Sequence, residues 1–220
     1  MLTIPTAVET IIHKIPFLEV GLAGGILNHS ALARVIRPEV KKLVLKDVTE
    51  AAIVMALRRL PVRKGLLRNL KKGYWREYEM IVRSNLAEFT VFNSDLGAAK
   101  YKNLLRLINT QKGHFFTVTQ GVFQTTIITS EELEKQVLKI LSRVKIVSRF
   151  SNLSSITLRL SQETVKTPGA YYFILMQLAW HGINLIEVVS TFTEFTVILN
   201  EKEVDRAFTA LKTSLPEYLL

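Results

Sequence analysis

Cysteine is absent from this sequence of 220 residues. Disulfide frameworks, thiolate zinc sites and cysteine nucleophiles are therefore excluded, and a reducing compartment fits the composition. No apolar run reaches the roughly 18–20 residues that a membrane helix needs. The first residues also lack the basic stretch and apolar run of a secretory signal. We therefore expect a cytoplasmic protein without a membrane partner.

Arrangements of residues that carry catalysis or bind metals are missing too. The four histidines stand apart from one another and show no ligand spacing. Most acidic residues fall in predicted first helical turns, where capping and the helix dipole explain them. Nothing resembles an acid–base pair or a Ser-His-Asp set. We expect no catalytic residue, no metal and no cofactor, and hence a protein that is not an enzyme.

Positive charge is concentrated in one segment. No acidic residue lies between Glu50 and Glu77, whereas eight arginines and lysines do, and these account for most of the net charge of +10. Residues 63–80 are predicted to be a basic connector between two parts of the chain. Such a run is most often a solvated surface, but it also suits contacts with phosphates.

Residues 1–62 are predicted to form a small all-helical domain. Phe17–Ala23, a turn at Gly24-Gly25 and a helix over Asn28–Arg37 fit a helix-turn-helix, or the start of a winged-helix domain. Pro38 is expected to begin a further helix. Asp47 with Glu50 is expected to cap the last one, Val48–Leu60.

This arrangement makes nucleic acid a possible partner, although charge alone specifies neither a groove nor a base contact. The candidate nucleic-acid-binding residues are Arg34, Arg37, Arg58, Arg59, Arg63, Lys64, Arg68, Lys71 and Lys72.

The remaining sequence predicts a β-α-β-β-α-β order that occurs twice, over residues 81–150 and 151–220. The second copy lacks a recognisable last strand. The expected fold class is α+β, with two ferredoxin-like units preceded by the helical domain. The missing strand is expected to leave one sheet edge open.

The second copy contains a distinctive set of short motifs. Thr167-Pro168-Gly169-Ala170 is followed by Gly182-Ile183-Asn184 and then by Thr193–Val197. Together these motifs resemble an ACT domain, the amino-acid-sensing module of aspartokinases, over about 60 residues. The first copy is similar in element order only, because its loop Asn93–Gly97 lacks the Pro-Gly opening. Two consecutive copies resemble the paired regulatory modules of aspartokinases, without the kinase domain.

The resemblance implies an amino-acid site near the first loop–helix junction, at an interface between modules. Backbone N–H groups of Gly169, Ala170 and Tyr171 would face a carboxylate at the helix N-terminus. Thr167 and Pro168 open this helix, and Asn184 lies at the start of the next strand. The same residues also fit an ordinary helix start that binds nothing.

Two hypotheses of function follow. In the first, a non-enzymatic regulatory protein senses an amino acid or related metabolite, as a homodimer, with possible coupling to DNA binding. In the second, the ACT-like fold is ligand-free and serves as a structural or protein-interaction module.

Overall fold

The computed structural model describes residues 2–61, 78–110 and 113–217. Contacts between residues divide the chain into two units, Met1–Asn69 and Leu70–Leu220. The first unit is helical where it is described, and the second combines helices with one antiparallel sheet. The α+β class expected from the sequence is therefore confirmed. Within the described ranges, no helix is both long and apolar enough to cross a bilayer.

Four helices form the described part of the first unit. They are α1 (Ile4–Lys14), α2 (Pro16–Ala23), α3 (His29–Val44) and α4 (Glu50–Arg59). Apolar side chains spaced three or four residues apart on α1, α3 and α4 bury together, as amphipathic helices require. The largest buried members of this core are Ile11, Ile12, Leu32, Ile36, Ile53 and Leu57.

Two predictions about these helices are wrong. No new helix begins at Pro38, which lies inside α3. The apolar stripe of Ile36 and Val40 continues across the proline, so burial holds the two segments in one helix. The cap of α4 is Thr49, whose hydroxyl accepts the N–H of Ala52 at 3.3 Å. Asp47 instead pairs with Lys41, which lowers the pKa of the Asp47 carboxyl.

The second unit contains the following elements in chain order: β1 (Glu79–Phe92), α5 (Asn93–Thr110), β2 (Phe116–Gln120), β3 (Gln124–Ser130), α6 (Glu131–Ile140), β4 (Ile146–Arg159), α7 (Gln162–Val165), α8 (Ala170–Trp180), β5 (Glu187–Ser190), β6 (Glu194–Asn200) and α9 (Val204–Glu217). The order of the strands in the sheet is β2-β3-β1-β4-β6-β5, and every neighbouring pair is antiparallel.

Two central strands, β1 and β4, are longer than expected. The sequence predicts the first strand of the first copy from about Glu88, whereas β1 begins nine residues earlier, at Glu79. The last strand predicted for the first copy and the first strand predicted for the second copy are one strand, β4. The early part of β1, Glu79–Arg83, pairs with Ser155–Arg159 of β4. It fills the position of the strand that the second copy lacks. The open edge expected there is therefore wrong, because the segment at the start of the first copy covers it.

β1 and β4 cross at the pair Leu86–Leu153, where the two strands carry the same local sequence. Leu86 follows Ser84-Asn85, and Leu153 follows Ser151-Asn152. Each asparagine has a positive φ, 57° at Asn85 and 53° at Asn152, a conformation that asparagine tolerates better than most residues. The register shifts on both sides of the Leu86–Leu153 pair, so each strand has a bulge beside the crossing. Bulges bend the strands that contain them.

The bend turns one face of the sheet onto itself, whereas the helices cover the other face. On the inner face, Leu86 and Leu153 pack with Ile128 of β3 and Ile198 of β6. Partly buried side chains in or next to the edge strands β2 and β5 join this cluster, among them Phe115 and Val189. Side chains from both halves of the sheet therefore share one core.

A carboxyl group is buried in this inner face. Glu88 of β1 is only 4% exposed, and its Oε2 has no hydrogen-bond partner. Burial raises the pKa of Glu88 to about 7, the negative charge of Glu187 on β5 adds to the increase, and a hydrogen bond with Thr90 opposes it. A proton is therefore bound to Glu88 in the folded protein at pH values where an ordinary glutamate is ionised.

We expect folding stability to fall as the pH rises from 4.5, the ordinary pKa of glutamate, to about 7. The folded state binds the Glu88 proton more tightly than the unfolded state, so raising the pH favours unfolding. Glu88→Gln should raise the free energy of unfolding at pH 8 by about 1–3 kcal/mol and flatten its pH dependence. Urea unfolding at pH 5 and pH 8 measures both effects. The exposed Glu163→Gln serves as the control, and an equal effect of the two variants would contradict the assignment.

Candidate functional site

A cleft of about 360 Å³ lies where β1 ends and α5 begins. Its walls come from the start of α5 and from the β2–β3 hairpin. This volume is at the small end of the range of roughly 300–1,000 Å³ for ligand pockets. The lining residues are Asn93, Leu96, Gly97, Ala98, Tyr101, Lys102, Leu105, Gln120 and Thr125.

Asn93 joins the two walls of the cleft. Its side-chain Nδ2 donates to the carbonyl oxygens of Gly121 at 3.0 Å and Val122 at 3.2 Å. The hydroxyl of Thr125 donates to Asn93 Oδ1 at 2.7 Å, and the Asn93 backbone N–H donates to Phe123 O at 3.0 Å. One side chain thus fixes the hairpin turn against the end of β1.

Gly97 interrupts α5 at the cleft. Its φ of 65° and ψ of 154° are not helical, so a first turn from Asn93 is separated from the helix that continues to Thr110. A β-carbon at Gly97 would meet no atom within 4 Å, so the glycine is required by its backbone angles and not by crowding. Leu96, 4% exposed, anchors the turn in the core.

The structure places the predicted amino-acid-binding residues of the second copy around the start of α8. The Thr167 hydroxyl donates to Glu163 O at 2.7 Å, and the Ala170 N–H donates to Thr167 O at 3.3 Å. Gly169, with a φ of 89°, precedes the helix, while Pro168 and Asn184 are exposed. One of the three predicted backbone donors, that of Ala170, is therefore already engaged.

Tyr171 makes a contact that explains why the first copy has a cleft at this position and the second copy does not. Its ring stacks on Phe195 of β6 with centroids 4.8 Å apart. The backbone bond from Asn93 N to Phe123 O in the first copy is equivalent to the bond from Leu160 N to Thr193 O in the second. Two residues further along β3 and β6, with the same strand register, Thr125 is therefore the counterpart of Phe195. A small hydroxyl thus lines the cleft of the first copy where a ring is buried in the second.

Sequence reasoning missed the cleft because the loop Asn93–Gly97 lacks a Pro-Gly opening. The sequence nevertheless contains a signal for a loop–helix junction in the first copy. Gly97 directly precedes two alanines and a helix with apolar residues, just as Gly169 directly precedes Ala170 in the second copy. Both glycines have positive φ and both are followed by the long helix of their copy.

The basic residues predicted to contact nucleic acid lie in different surroundings. Arg37 Nε donates to Val48 O at 2.8 Å, and Arg34 pairs with Glu50 at 3.4 Å, so both guanidinium groups make contacts within the first unit. Arg58 and Arg59 are exposed at the end of α4. The other five, Arg63, Lys64, Arg68, Lys71 and Lys72, lie outside the described residues, as does most of the predicted connector. Nucleic-acid binding stays a prediction.

His13 is not isolated, contrary to the sequence-based interpretation. Its ring nitrogens lie 3.5 Å from Glu9 and 3.3 Å from Glu19. Glu9 precedes His13 by one helical turn, which is contact spacing on one helix face. Across the described parts of the chain, no three His, Cys, Asp or Glu side chains come together as a metal site.

A second cleft, of about 350 Å³, lies between the end of α8 and α9. Its one arginine, Arg206, donates to the carbonyl of His181 at 2.7 Å and to Glu203 at 2.5 Å. The bond to His181 connects the end of α8 with α9, and the two bonds together occupy the guanidinium. The cleft at Asn93 is therefore the better candidate for a ligand.

Comparisons with known proteins find a likeness in structure alone. No protein-family model matches the sequence, and no curated protein matches it. Aspartate kinase from Clostridium acetobutylicum has a TM-score of 0.51 at 13% identity over 62% of this chain. The regulatory subunits of aspartate kinase from Thermus thermophilus and Thermus flavus have TM-scores of 0.50, at 14% and 11% identity over 61% of this chain.

The extent of these matches differs. The matched region spans about a third (34%) of the Clostridium enzyme but 95% of each Thermus regulatory subunit. The chain thus shares the fold of ACT-containing regulatory parts of aspartate kinases, and the resemblance found in the sequence is confirmed at the level of the fold. At these identities the likeness concerns the fold alone.

We expect Asn93→Ala to lower the free energy of unfolding by about 1–3 kcal/mol, because it removes three side-chain hydrogen bonds and leaves the Thr125 hydroxyl without its acceptor. Chemical denaturation measures the loss. Amide hydrogen exchange should accelerate first in the β2–β3 hairpin, which loses its anchor. Asn103→Ala, at an exposed position of α5, is the control. Unchanged exchange in the hairpin of Asn93→Ala would contradict the role of Asn93.

Proposed function

We propose that the protein is a non-enzymatic regulatory protein that senses an amino acid or a related small metabolite, and that the cleft at Asn93 is its binding site. The observation that carries this proposal is the position of the cleft, at the first loop–helix junction of a fold shared with regulatory subunits. Neither a histidine nor a carboxylate lines the cleft as described, so it is suited to binding more than to acid–base chemistry.

The fold supports a regulatory role. The Thermus thermophilus protein is a regulatory subunit, described in its ligand-free form, and 95% of it is covered by the match. The Clostridium protein is described as an allosteric enzyme. By analogy, we assign a regulatory role to the second unit of this chain.

The domain division remains part of the proposal: a helical domain over 1–62, a connector over 63–80 and two ACT-like modules over 81–150 and 151–220. The pairing of Glu79–Arg83 with β4 supports one amendment. The last strand of the second module would come from Glu79–Arg83, where the connector meets the first module. The two modules would then share β1 and β4 instead of following each other as separate domains.

The cleft is preferred to the Thr167 loop for a physical reason. In the second copy the stacked rings of Tyr171 and Phe195 occupy the position that Thr125 leaves open in the first. A ligand at the second position would have to displace a buried aromatic contact, whereas the cleft needs no such change.

The alternative function is a structural or protein-interaction module without a ligand. It is favoured by two large apolar side chains at the tip of the β2–β3 hairpin, Val122 and Phe123, which are 85% and 77% exposed. Exposed apolar groups of this size are typical of contact surfaces. A homodimer fits both functions.

The proposal is tested by thermal unfolding against amino acids and related small carboxylates at millimolar concentration. A ligand present at 100 times its Kd stabilises by about 2.7 kcal/mol, which raises Tm by several degrees in a chain of this size. Ala98→Trp should abolish the ligand-induced increase in Tm. Ala98 is exposed and lines the cleft, so the added indole ring would fill the space that the ligand needs.

Two controls accompany this variant. Ala99→Trp adds the same ring at the neighbouring exposed residue outside the cleft and should leave the shift unchanged. Asn184→Ala tests the Thr167 loop and should also leave it unchanged. Loss of the shift in Asn184→Ala but not in Ala98→Trp would return the site to the second copy. No shift with any compound would favour the interaction module.

A further inference from the structure

The charges around the cleft restrict the ligand that it can hold, provided the proposed function is correct. One lining residue, Lys102, is charged, and no carboxylate is among the lining residues. Asp95 in the adjoining turn accepts a hydrogen bond from Ser94 and does not line the cleft. Glu88 is on β1 but on the opposite face of the sheet, with Ile128. The lining is therefore positively charged.

Asn93, one of the polar lining residues, already has its hydrogen-bonding groups engaged. Asn93 Nδ2 donates to the carbonyls of Gly121 and Val122, and Asn93 Oδ1 accepts from Thr125. An α-ammonium group brings three donors and no acceptor. The other oxygens of the lining, on Tyr101, Gln120 and Thr125, are uncharged. The ammonium would therefore find no negative charge and would meet the positive charge of Lys102, so an amino acid would be poorly accommodated at this end of the cleft.

A carboxylate meets the opposite conditions. The Lys102 ammonium provides a positive charge, and Gln120 provides amide donors. The break at Gly97 also starts a new helical segment beside the cleft, whose first N–H groups have no acceptor within the helix. Lys102, together with these donors, therefore favours one negative charge.

The rest of the lining is apolar. Leu96, Leu105 and the ring of Tyr101 form this part of the wall. Hydrocarbon placed against them is removed from water, which stabilises binding in proportion to the area covered. Together with the volume of about 360 Å³, this favours a small molecule with a compact apolar tail.

We infer that the cleft binds a small monocarboxylate that has an apolar tail and no ammonium group, such as a 2-oxo acid or a 2-hydroxy acid, in preference to the corresponding amino acid. The carboxylate lies near Lys102 and the tail lies against Leu96 and Leu105. In this arrangement the protein distinguishes an amino acid from its deaminated counterpart by the charge that the cleft cannot neutralise.

The experiment is isothermal titration of the full chain with matched pairs: L-leucine against 4-methyl-2-oxopentanoate, and L-phenylalanine against phenylpyruvate. In one or both pairs, the Kd of the oxo acid should be at least ten times lower than the Kd of the amino acid. Lys102→Met should weaken oxo-acid binding at least tenfold, and Lys102→Glu should reverse the preference by supplying a carboxylate for the ammonium. Lys135→Met, at an exposed position of α6 away from the cleft, is the matched control.

The outcomes separate this inference from the proposed function. Tighter binding of the amino acid, lost in Ala98→Trp, would overturn the inference and leave the sensing function intact. Equal weakening by Lys102→Met and Lys135→Met would overturn the role of Lys102 and with it the inference. Binding of neither member of either pair up to 10 mM (about −2.7 kcal/mol) would overturn the inference, and the thermal screen of amino acids then decides the proposed function on its own.

Discussion

The second unit depends on the crossing of β1 and β4 at Leu86 and Leu153. Both strands are long enough to serve both halves of the sheet, and the bulges that flank the leucine pair bend them together. The bend brings Ile128 and Ile198 into one inner core with the leucines. Without the bend, this apolar face would remain in water, whereas the helices already cover the other face. The crossing thus explains why two repeated halves form one structure.

On this symmetric backbone the two halves carry different side chains. Thr90 and Thr126 form a cross-strand hydrogen bond at 3.3 Å, and their counterparts Thr157 and Thr196 form one at 2.8 Å. At other equivalent positions the chemistry differs: Thr125 corresponds to Phe195, and the buried carboxyl of Glu88 corresponds to a buried hydroxyl, Ser155. The same strand register therefore produces a cleft in one half and an aromatic contact in the other.

The sequence predicts element types well here and long-range partners poorly. Residues of high β-propensity identify β3 and β6, because this signal is local. The strand Glu79–Arg83 pairs with residues about 75 positions away, and no local signal identifies that partner. The Thr167-Pro168-Gly169 motif predicts a helix nearby, but the cap is Gly169 and the helix begins at Ala170, so the predicted Thr167 cap and Pro168 start are wrong. The motif also cannot show whether the space beside the helix is filled, which depends on Phe195 across the fold. The repeated Ser-Asn-Leu at residues 84–86 and 151–153 is the sequence signal that marks the crossing.

β1 connects three features that would otherwise be independent. Its first residues, Glu79–Arg83, complete the half of the sheet that contains β5 and β6, its middle carries Glu88, and its end leads directly into Asn93 at the cleft. A ligand at Asn93 can change the rest of the unit only if it binds one arrangement of these strands more tightly than another. β1 belongs to both halves of the sheet and pairs with strands on both of its sides. A displacement of its end at Asn93 must therefore be accommodated where β1 crosses β4. The bulges at Asn85 and Asn152, and a further register shift between Thr90 and Val91, are places where the ladder of β1 and β4 is already interrupted. They are therefore where the two halves can adjust to each other at least cost in hydrogen bonds.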